Sequence, residues 1–462
     1  MTATVSNNLK TLLIDHWIED FNDASNNYYI AYGRSEDWTD SDGAGNLVAE
    51  TPSNSLRGIR RLRNGLQSAI AVSNYSYAAP RYNWSNGTVY DGYDDAVGTN
   101  SGDFYVVNDD NEVYICLQQG KNSAGVAVSS TVKPSYTTAA VAKTDPFKTA
   151  DGYSWQFLYT LSSNQTNNYL TSNYIPIDYI EDSSVSGTPY SSLSSFQQEQ
   201  FTVQSASVAG QILGIAVTYG GSNYTSAPTV AISGDGSGAA ATAYVSGGAV
   251  VKVEINESGG VLQFGQDYTN AVISFSGGGG SGATARAILS PAGGISANAR
   301  TSLNSTALMF NVKPDGDEGG DFLINQDFRQ VALIRNALWQ DSDGIFDQST
   351  GSFLPKLRFS LGSLSGTISA DDIITGTSTN AQAYVDTVDS DYIFYHQTET
   401  TGFVGFDSSE SISSTSGGSA TLIDLINAEI DKDTGDILYY DNRSAVSRTS
   451  GQTEDIKIVI QF

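Results

Sequence analysis

Residues 224–245 read YTSAPTVAISGDGSGAAATAYV, and residues 268–289 read YTNAVISFSGGGGSGATARAIL. Each copy contains Tyr-Thr, a short apolar strand, a glycine-rich turn and a second strand of small residues, in the same order. The shared Gly-Ser-Gly-Ala falls at residues 236–239 and 280–283. A repeated β unit of this kind buries its apolar face by packing against its neighbour. The repeat therefore predicts an inserted tandem β module over residues 205–292.

Strand and turn patterns continue on both sides of the repeat. Asp103–Gln118 reads as a hairpin, because two β-branched and aromatic runs flank an Asn-Asp-Asp-Asn turn. Asp151–Leu161 reads as another strand, and Gly366–Leu425 again places Gly/Ser/Thr turns before short strands. We predict a mainly β chain: a β-sandwich core with a short N-terminal helix and two inserted Gly/Ser/Thr-rich β modules.

The sequence divides into five predicted segments. They are 1–200 (the helix and the first core strands), 205–292 (the tandem repeat), 300–365 (core continuation), 366–426 (the second module) and 427–462 (the C-terminal core strands). The helix is predicted over NNLKTLLIDHWIEDFN, residues 7–22. Apolar residues recur there every three or four positions, which predicts one apolar stripe containing Leu9, Leu12, Leu13, His16, Trp17 and Phe21, with His16 in a structural role beside Trp17.

The composition limits the possible partners. There are 50 acidic and 23 basic residues, a formal net charge of −27, so we expect neither nucleic acid nor an anionic membrane as partner. No apolar run approaches the roughly 18 residues of a membrane helix. The N-terminal residues lack a signal-peptide pattern, which predicts synthesis in a cytoplasm. Cys116 is the single cysteine, so no intrachain disulfide forms, and we expect it to be a small buried apolar residue.

No motif indicates a cofactor or a catalytic site. Gly277, Gly279 and Gly282 match G-x-G-x-x-G, but a dinucleotide site also needs a following helix and an acid about 20 residues on. The repeat explains these glycines more simply, as hairpin turns. Acidic neighbours such as Glu36 and Asp37 would point to opposite faces of a strand, which does not make a glycosidase pair. We therefore predict no cofactor and no enzymatic activity.

Two acidic, glycine-containing turns leave two readings open. They are residues 314–321 (PDGDEGGD) and 431–436 (DKDTGD). Carboxylates in such turns bind calcium in many proteins, but neither turn has the EF-hand spacing. Each is therefore a candidate calcium-binding turn or a solvated turn.

Four segments together resemble one protein family. They are Tyr29–Asp40 (YIAYGRSEDWTD), Asp151–Leu161 (DGYSWQFLYTL), Asp327–Leu338 (DFRQVALIRNAL) and Gly435–Phe462. In this order they resemble the baseplate wedge subunits, the gene product 8 family, of T-even-type contractile-tailed bacteriophages. The matching positions are Gly33, Arg34, Ser35, Glu36, Trp38, Phe328, Arg329, Gln330, Asn442, Arg443, Gln452, Thr453 and Glu454. The two inserted modules have no counterpart in the short form of that family.

The resemblance implies a structural role. Subunits of that family are rich in β-sandwich structure, pair as dimers, and link other baseplate wedge proteins in the virion tail. The resemblance implies no catalytic residues. The alternative that the sequence leaves open is a tail-associated host-recognition protein that binds or cleaves glycans, because surfaces rich in tyrosine and tryptophan also stack on sugars.

The charged end of the first predicted strand suggests a clasp. An arginine holds a carboxylate through two parallel hydrogen bonds, and a tryptophan beside it adds buried area. Arg34, Glu36 and Arg443 are therefore candidates for a buried clasp between the N-terminal and C-terminal strands, or between subunits. The full set of predicted interface or clasp residues is Arg34, Glu36, Trp38, Arg329, Asn442, Arg443 and Glu454.

Overall fold

The computed structural model of this protein describes residues 7–42, 44–96, 103–136, 142–181, 189–314, 323, 326–449 and 451–462. Within them the chain is mainly β, with several antiparallel sheets and a short N-terminal helix, which confirms the predicted class. It forms two compact units. One contains the described residues up to Thr11, Ser76–Met309 and Val459–Phe462, and the other contains Leu12–Tyr75 and Phe310–Ile458. None of the described helices is long and apolar enough to cross a membrane.

Short strands account for most of the regular secondary structure in the described residues. In chain order they are β1 (Tyr28–Gly33), β2 (Leu66–Ala71), β3 (Tyr75–Pro80), β4 (Tyr105–Val107), β5 (Glu112–Gln118), β6 (Phe147–Lys148), β7 (Ser154–Thr160), β8 (Tyr174–Ile177), β9 (Ile212–Ser222), β10 (Thr229–Gly234), β11 (Ser237–Ala239), β12 (Ala241–Ser246), β13 (Ala249–Ile255), β14 (Glu257–Ser258), β15 (Val261–Leu262), β16 (Phe264–Gln266), β17 (Ala271–Ser276), β18 (Ser281–Leu289), β19 (Ala307–Val312), β20 (Gln326–Arg335), β21 (Thr350–Ser352), β22 (Lys356–Phe359), β23 (Ile373–Gly376), β24 (Gln382–Asp389), β25 (Tyr392–His396), β26 (Ser411–Ser414), β27 (Ser419–Ile426), β28 (Asp436–Arg448) and β29 (Ile456–Gln461).

Helices are few and mostly brief. In chain order they are α1 (Asn7–Asn22), α2 (Leu56–Gly65), α3 (Ser163–Asn168), α4 (Ser195–Ser205) and α5 (Ala299–Ser302), with 3-10 turns at Tyr190–Ser192 and Leu361–Ser363. Serine begins three of them. Ser55, Ser162 and Ser194 each accept a hydrogen bond from a backbone N–H in the first turn of the following helix, which satisfies a donor that the helix itself leaves free.

The apolar stripe of α1 is only partly buried. Trp17 and Phe21 pack against Phe310, with ring centroids 5.5 and 5.6 Å apart. Leu12, Leu13 and Leu9, predicted on the same stripe, are 51%, 45% and 46% exposed. His16 is also exposed, 3.3 Å from Glu19 on the same helix, so its predicted structural role in the stripe is wrong. The apolar neighbours of this helix in the described part of the chain cover Trp17 and Phe21 but leave Leu12 and Leu13 about half exposed.

The first unit contains several antiparallel sheets on either side of the repeat. A four-stranded sheet has the order β4-β5-β7-β6, and β3 pairs with β8. β4 and β5 form the predicted hairpin, in which Tyr105 faces Ile115 and Val107 faces Val113. Cys116 on β5 is fully buried, as expected of a small apolar residue in a strand interior.

The two copies of the repeat pair with each other about an approximate two-fold axis. β10 and β17, the equivalent strands of the two copies, run antiparallel, with Thr229 facing Ser276 and Ile232 facing Ile273. β9 pairs with β18, and the equivalent β13 pairs with β12. The resulting sheet has the order β10-β17-β18-β9-β13-β12. The copies therefore pair with each other, as the repeat predicts, although most residues of β10 and β17 remain exposed or half-buried.

Each copy also packs its tyrosine on a glycine of the other copy. A Cβ atom on Gly280 would lie 2.5 Å from Cγ of Tyr224, and one on Gly236 would lie 2.5 Å from Cγ of Tyr268. No side chain fits such a gap. The three glycines of the formal dinucleotide motif all have positive φ angles, between 77° and 85°, and form or follow the turn from β17 to β18. Here, turn geometry and close packing require the glycines.

One hydrophobic cluster includes both the repeat and the strands before it. Its buried members include Val113 and Ile175 from the earlier strands and Ile212 and Phe264 from the repeat. The module predicted at 205–292 therefore packs on the preceding strands and shares their core.

The second unit contains a five-stranded antiparallel sheet, hereafter the sheet, with the order β21-β2-β1-β20-β28. Every residue of β1 is buried, and so is every residue of β20 from Phe328 to Ile334. Strands covered on both faces have such continuous apolar runs. α2 contributes Leu62 to the cluster that contains Tyr29 of β1.

A closed six-stranded barrel, hereafter the barrel, covers Lys356–Ile426, with the strand order β22-β25-β24-β23-β26-β27. Closure leaves no open sheet edge. The second module, predicted at 366–426, thus begins ten residues earlier, because β22 pairs with both β25 and β27 and closes the ring. Its interior cluster includes Leu357, Ile374, Val385, Ile412 and Leu422.

Glu410 ties two loops of the barrel together. Its carboxylate accepts hydrogen bonds from the backbone N–H groups of Ser378, Thr379 and Asp407 at 2.8–3.1 Å, and from the hydroxyls of Ser378 and Thr379. Burial raises the pKa of this carboxyl, but the hydrogen bonds lower it by more, so that the pKa is about 2. The ionised carboxylate is therefore the form that the loops require.

We expect Glu410→Gln to destabilise the barrel by about 2 kcal/mol near neutral pH, because an amide NH₂ would face backbone donors. The folded pKa lies below the ordinary 4.5, so the stabilisation is present above pH 4.5 and is lost as the pH falls towards 2. Melting temperatures of the wild type and the variant should differ at about pH 6, move closer together below pH 4.5 and converge at about pH 2. Asp424→Asn, at an exposed barrel position, is the control. A difference that persists unchanged in acid would contradict this role.

Candidate functional site

The segment after β1 leaves the sheet abruptly, and this places its charged residues. A Cβ atom on Gly33 would lie 2.0 Å from the carbonyl oxygen of Gly65, so only glycine fits where β1 passes the end of α2. Arg34 follows with a φ of 65°, a left-handed conformation, and its N–H donates to the same Gly65 oxygen at 2.7 Å. This turn directs residues 35–38 away from β1.

Trp38 anchors the segment to β28. It is 4% exposed, and its indole N–H donates to the carbonyl oxygen of Arg443 at 2.7 Å. The guanidinium of Arg34 lies 4.1 Å from the centre of the Trp38 ring, within the range of a cation–π contact. Trp38 is therefore buried beside Arg34.

Arg329 on β20 holds the same segment from the other side. Its side chain is 8% exposed and donates to the carbonyl oxygen of Ser35 and to the carboxylate of Asp37, the latter at 2.5 Å. Asp327 lies 3.2 Å from the same guanidinium. Arg329 thus joins the segment to the middle of the sheet.

Glu36 contacts a histidine of the barrel. Its Oε1 lies 3.0 Å from Nε2 of His396, whose Nδ1 lies 2.7 Å from Oδ2 of Asp386. The Nε2 hydrogen does not aim directly at Glu36, so this contact is an ion pair without a well-directed hydrogen bond. The side chains of His396 and Asp386 are 3% and 0% exposed. We call these three residues the junction triad.

Burial lowers the pKa of His396, but the carboxylates of Asp386 and Glu36 outweigh it and raise the pKa to about 10. Burial likewise raises the pKa of Glu36, whereas His396 and Arg34 lower it by more, so the net shift is downward. At neutral pH the triad is therefore an imidazolium held between two carboxylates.

A second buried ion pair lies at the end of β28. Nε of Arg448 donates to Oε2 of Glu454 at 2.9 Å, and Nη1 donates to the hydroxyl of Tyr32 at 3.0 Å. The two charged side chains are 1% and 5% exposed. Glu454 thus connects the C-terminal segment to β28 and β1.

The clasp predicted from sequence is replaced by these pairings. Arg443 contacts Asp441 at 3.5 Å on the exposed surface, and neither Glu36 nor Glu454 contacts it. Within the described residues, Arg34 forms no ion pair with Glu36, whose partner is His396. Asn442 accepts a hydrogen bond from Gln330 at 2.8 Å. The N-terminal and C-terminal strands are joined, but through Trp38 and Arg448.

A cleft of about 170 Å³ opens beside the triad. Its wall includes Arg34, Glu36 and Tyr384, and Arg61 lies within 3.2–3.5 Å of Glu399 and Glu50. Four acidic and two basic side chains line this wall, so the cleft contains charges of both signs.

The acidic turn at residues 431–436 is held by an arginine. Arg63 on α2 donates to the backbone carbonyls of Lys432 and Gly435 at 2.6 and 2.7 Å, and also to that of Thr434. The guanidinium therefore binds three backbone carbonyl oxygens of this turn. The other candidate turn, at 314–321, lies almost entirely outside the described residues.

We expect Arg63→Ala to loosen this turn, because three carbonyls lose a charged donor. The expected loss is about 2–3 kcal/mol in the free energy that holds the turn closed. Hydrogen–deuterium exchange should report it as faster exchange at residues 431–436. Arg60→Ala, an exposed position on the same helix, is the matched control and should leave exchange unchanged. Equal exchange in both variants would contradict the proposed role of Arg63.

Asp386, His396, Arg448 and Arg63 were not predicted from the sequence. One signal was present, because Asp386 interrupts the apolar strand AYVDTV (383–388), and a charge within such a strand often has a buried partner. The partners are distant in sequence, however: Ser35 donates to Asp386 across 351 positions. No local pattern indicates that pairing.

No protein-family model matches this chain, and a search of curated proteins gives no significant match.

Proposed function

We propose that this protein is a structural subunit of the baseplate wedge of a contractile phage tail. In this role it links neighbouring wedge proteins by protein–protein contacts during assembly and sheath contraction, and it forms a homodimer. It is made in the host cytoplasm, belongs to the virion tail, and catalyses no reaction.

The observation that carries the proposal is the location of the family-like segments. Tyr29–Asp40 supplies β1 and the segment after it, Asp327–Leu338 supplies most of β20, and Gly435–Phe462 supplies β28. β1 pairs with β20 along its whole length, and β20 pairs with β28. Three of the four segments that resemble one family thus lie side by side in one sheet, although they are far apart in the chain, and the fourth, Asp151–Leu161, supplies β7 of another sheet. Chance similarity has no reason to select neighbouring strands.

The chemistry of the site also supports a mechanical role. Glu36 and Asp37, the acidic pair closest to the cleft, are engaged by His396 and Arg329 respectively. Both cations come from other segments of the chain. The charged groups at this site therefore hold segments together, which is what a load-carrying subunit requires.

Co-expression with the remaining tail proteins of the same virion tests the proposal. We expect the tagged chain to purify with them at constant stoichiometry, with crosslinks to its neighbours, and to be dimeric alone by light scattering. Absence from assembled particles would overturn the proposal. A glycan array and a reducing-sugar release assay on the same preparation test the alternative, and clear binding or turnover would favour a host-recognition protein.

A further inference from the structure

The barrel and the sheet have separate apolar interiors. The barrel cluster contains residues such as Ile374, Val385 and Leu422, and the sheet cluster contains residues such as Tyr29 and Ile334, with no residue in common. A module with its own core keeps its fold without its neighbour's contacts. The contacts that hold the barrel against the sheet are therefore distinct from the contacts that fold each of them.

The contact between them combines an apolar contact, Phe394 of the barrel with Leu354 and Leu323, and a larger set of buried polar groups. From the sheet side, Ser35 and Gln67 donate to Oδ1 of Asp386 at 3.3 and 2.8 Å, and Gln326 donates to the Asp386 carbonyl at 3.1 Å. Glu36 adds its ion pair to His396. The barrel thus presents a buried charged pair, and the sheet side presents neutral donors and one carboxylate.

The ionisable groups around His396 come from several elements. The barrel contributes Asp386 and Tyr384, whose ring stacks on the imidazole with centroids 5.5 Å apart. The segment after β1 contributes Glu36 and, close to it, Arg34. On β20, Gln326 is neutral and also donates to Asp371 at 3.3 Å, while Arg329 binds Ser35 and Asp37. His396 is the cation in direct contact with both carboxylates of the triad.

We propose that the junction triad is a proton-dependent latch, which holds the barrel against the sheet while His396 carries its proton and Glu36 is ionised. Without that proton, the fully buried Asp386 and the 20% exposed Glu36 face each other across a neutral ring. Stranding a buried charge is strongly unfavourable, whereas the two separate cores are unaffected. The barrel then swings away from the sheet without unfolding. This inference does not depend on the proposed baseplate role.

The direction of the pH dependence follows from the shifted pKa values of His396 and Glu36. The pKa of His396 is raised from 6.5 to about 10, so its contribution is complete below pH 6.5 and is lost as the pH rises through 10. The pKa of Glu36 is lowered, so its contribution is present above pH 4.5 and is lost in acid. The latch therefore holds at neutral pH and opens in both acidic and alkaline solution.

Spin labels on the full chain measure this opening directly. One label at Gly362→Cys, an exposed barrel position with open space around it, and one at Ser73→Cys, an exposed position after β2, report the distance between barrel and sheet. The native Cys116 is buried and stays unlabelled. We expect one narrow distance at about pH 7 and a second, longer population at about pH 10, reversible on return to neutral pH.

Two variants separate the triad from other contacts. Glu36→Gln, with His396→Gln as a second variant if needed, should show the longer population at about pH 7. Glu399→Gln, which removes the exposed bridge to Arg57 and Arg61, should keep the single distance. Slow hydrogen exchange in β26 and β27 should persist in all variants. A single distance at high pH, equal behaviour of the Glu36 and Glu399 variants, or unfolding of the barrel together with its release would each overturn the latch.

Discussion

Replacement of Arg448 by alanine is expected to lower the free energy of unfolding by about 3–5 kcal/mol. The reason is burial: Glu454, 5% exposed, would lose the guanidinium that lies 2.9 Å away, and the Tyr32 hydroxyl would lose its donor. An uncompensated carboxylate in that position cannot reach water without opening the end of the sheet. Native-state hydrogen exchange at the amides of β1 and β20 measures the loss.

Arg443→Ala is the matched control, because it removes the same side chain from the same strand. Arg443 is 51% exposed and lies 3.5 Å from Asp441, so we expect its replacement to lower the free energy of unfolding by less than about 1 kcal/mol. The double replacement Arg448→Met with Glu454→Leu should recover much of the loss, since it leaves no buried charge. Similar losses for Arg443→Ala and Arg448→Ala would show that burial does not set the strength of these pairs.

Gly280→Ala is expected to destabilise the repeat by about 3 kcal/mol or more. The added methyl would lie 2.5 Å from both Cγ and the backbone N of Tyr224 and 2.6 Å from the carbonyl oxygen of Ser222. A backbone atom cannot move aside without disturbing the pairing of the two copies. Because the copies are related by the approximate two-fold axis, Gly236→Ala should have a similar effect through Tyr268. Chemical denaturation followed by circular dichroism tests both.

Gly277→Ala separates steric overlap from backbone strain. Gly277 has a φ of 77°, but a Cβ atom added there would meet no other atom within 4 Å, so only the conformational cost of about 1–2 kcal/mol remains. Gly280 and Gly236 are not among the glycines with positive φ, so their losses measure steric overlap. If neither Gly280→Ala nor Gly236→Ala lost more stability than Gly277→Ala, the packing of each tyrosine on the opposite glycine would be unimportant.

Much of the secondary structure follows from patterns within a few residues. The hairpin of β4 and β5, the buried runs of β1 and β20 and the glycine turns of the repeat are all local in origin. Alternation of apolar residues and the left-handed angles of glycine act through neighbouring residues, so they leave a trace in any short window. The pairing of the two copies was predictable for a related reason. Because the two copies have similar sequences, the strands of one copy are expected to pair with the equivalent strands of the other.

The limits of the barrel illustrate the opposite case. Lys356–Phe359 looks like any other short strand, and nothing in its four residues indicates the module to which it belongs. It joins the barrel because β25 and β27 both lack one neighbour without it. Closure of a ring is a property of all its strands together, so a boundary drawn from composition at residue 366 falls inside the module.

The amino-acid sequence alone was enough to predict the strands, the repeat, the excess of acidic residues and the region where charged groups cluster. The choice of charge partner came from the folded chain: Arg443 and Arg448 lie five positions apart on β28, yet one is half exposed and the other is buried. Ion pairs depend on distance and on exclusion of water, and both are set by segments that meet hundreds of residues apart. Glu36 therefore meets His396, and Glu454 meets Arg448, for reasons that no short stretch of sequence contains.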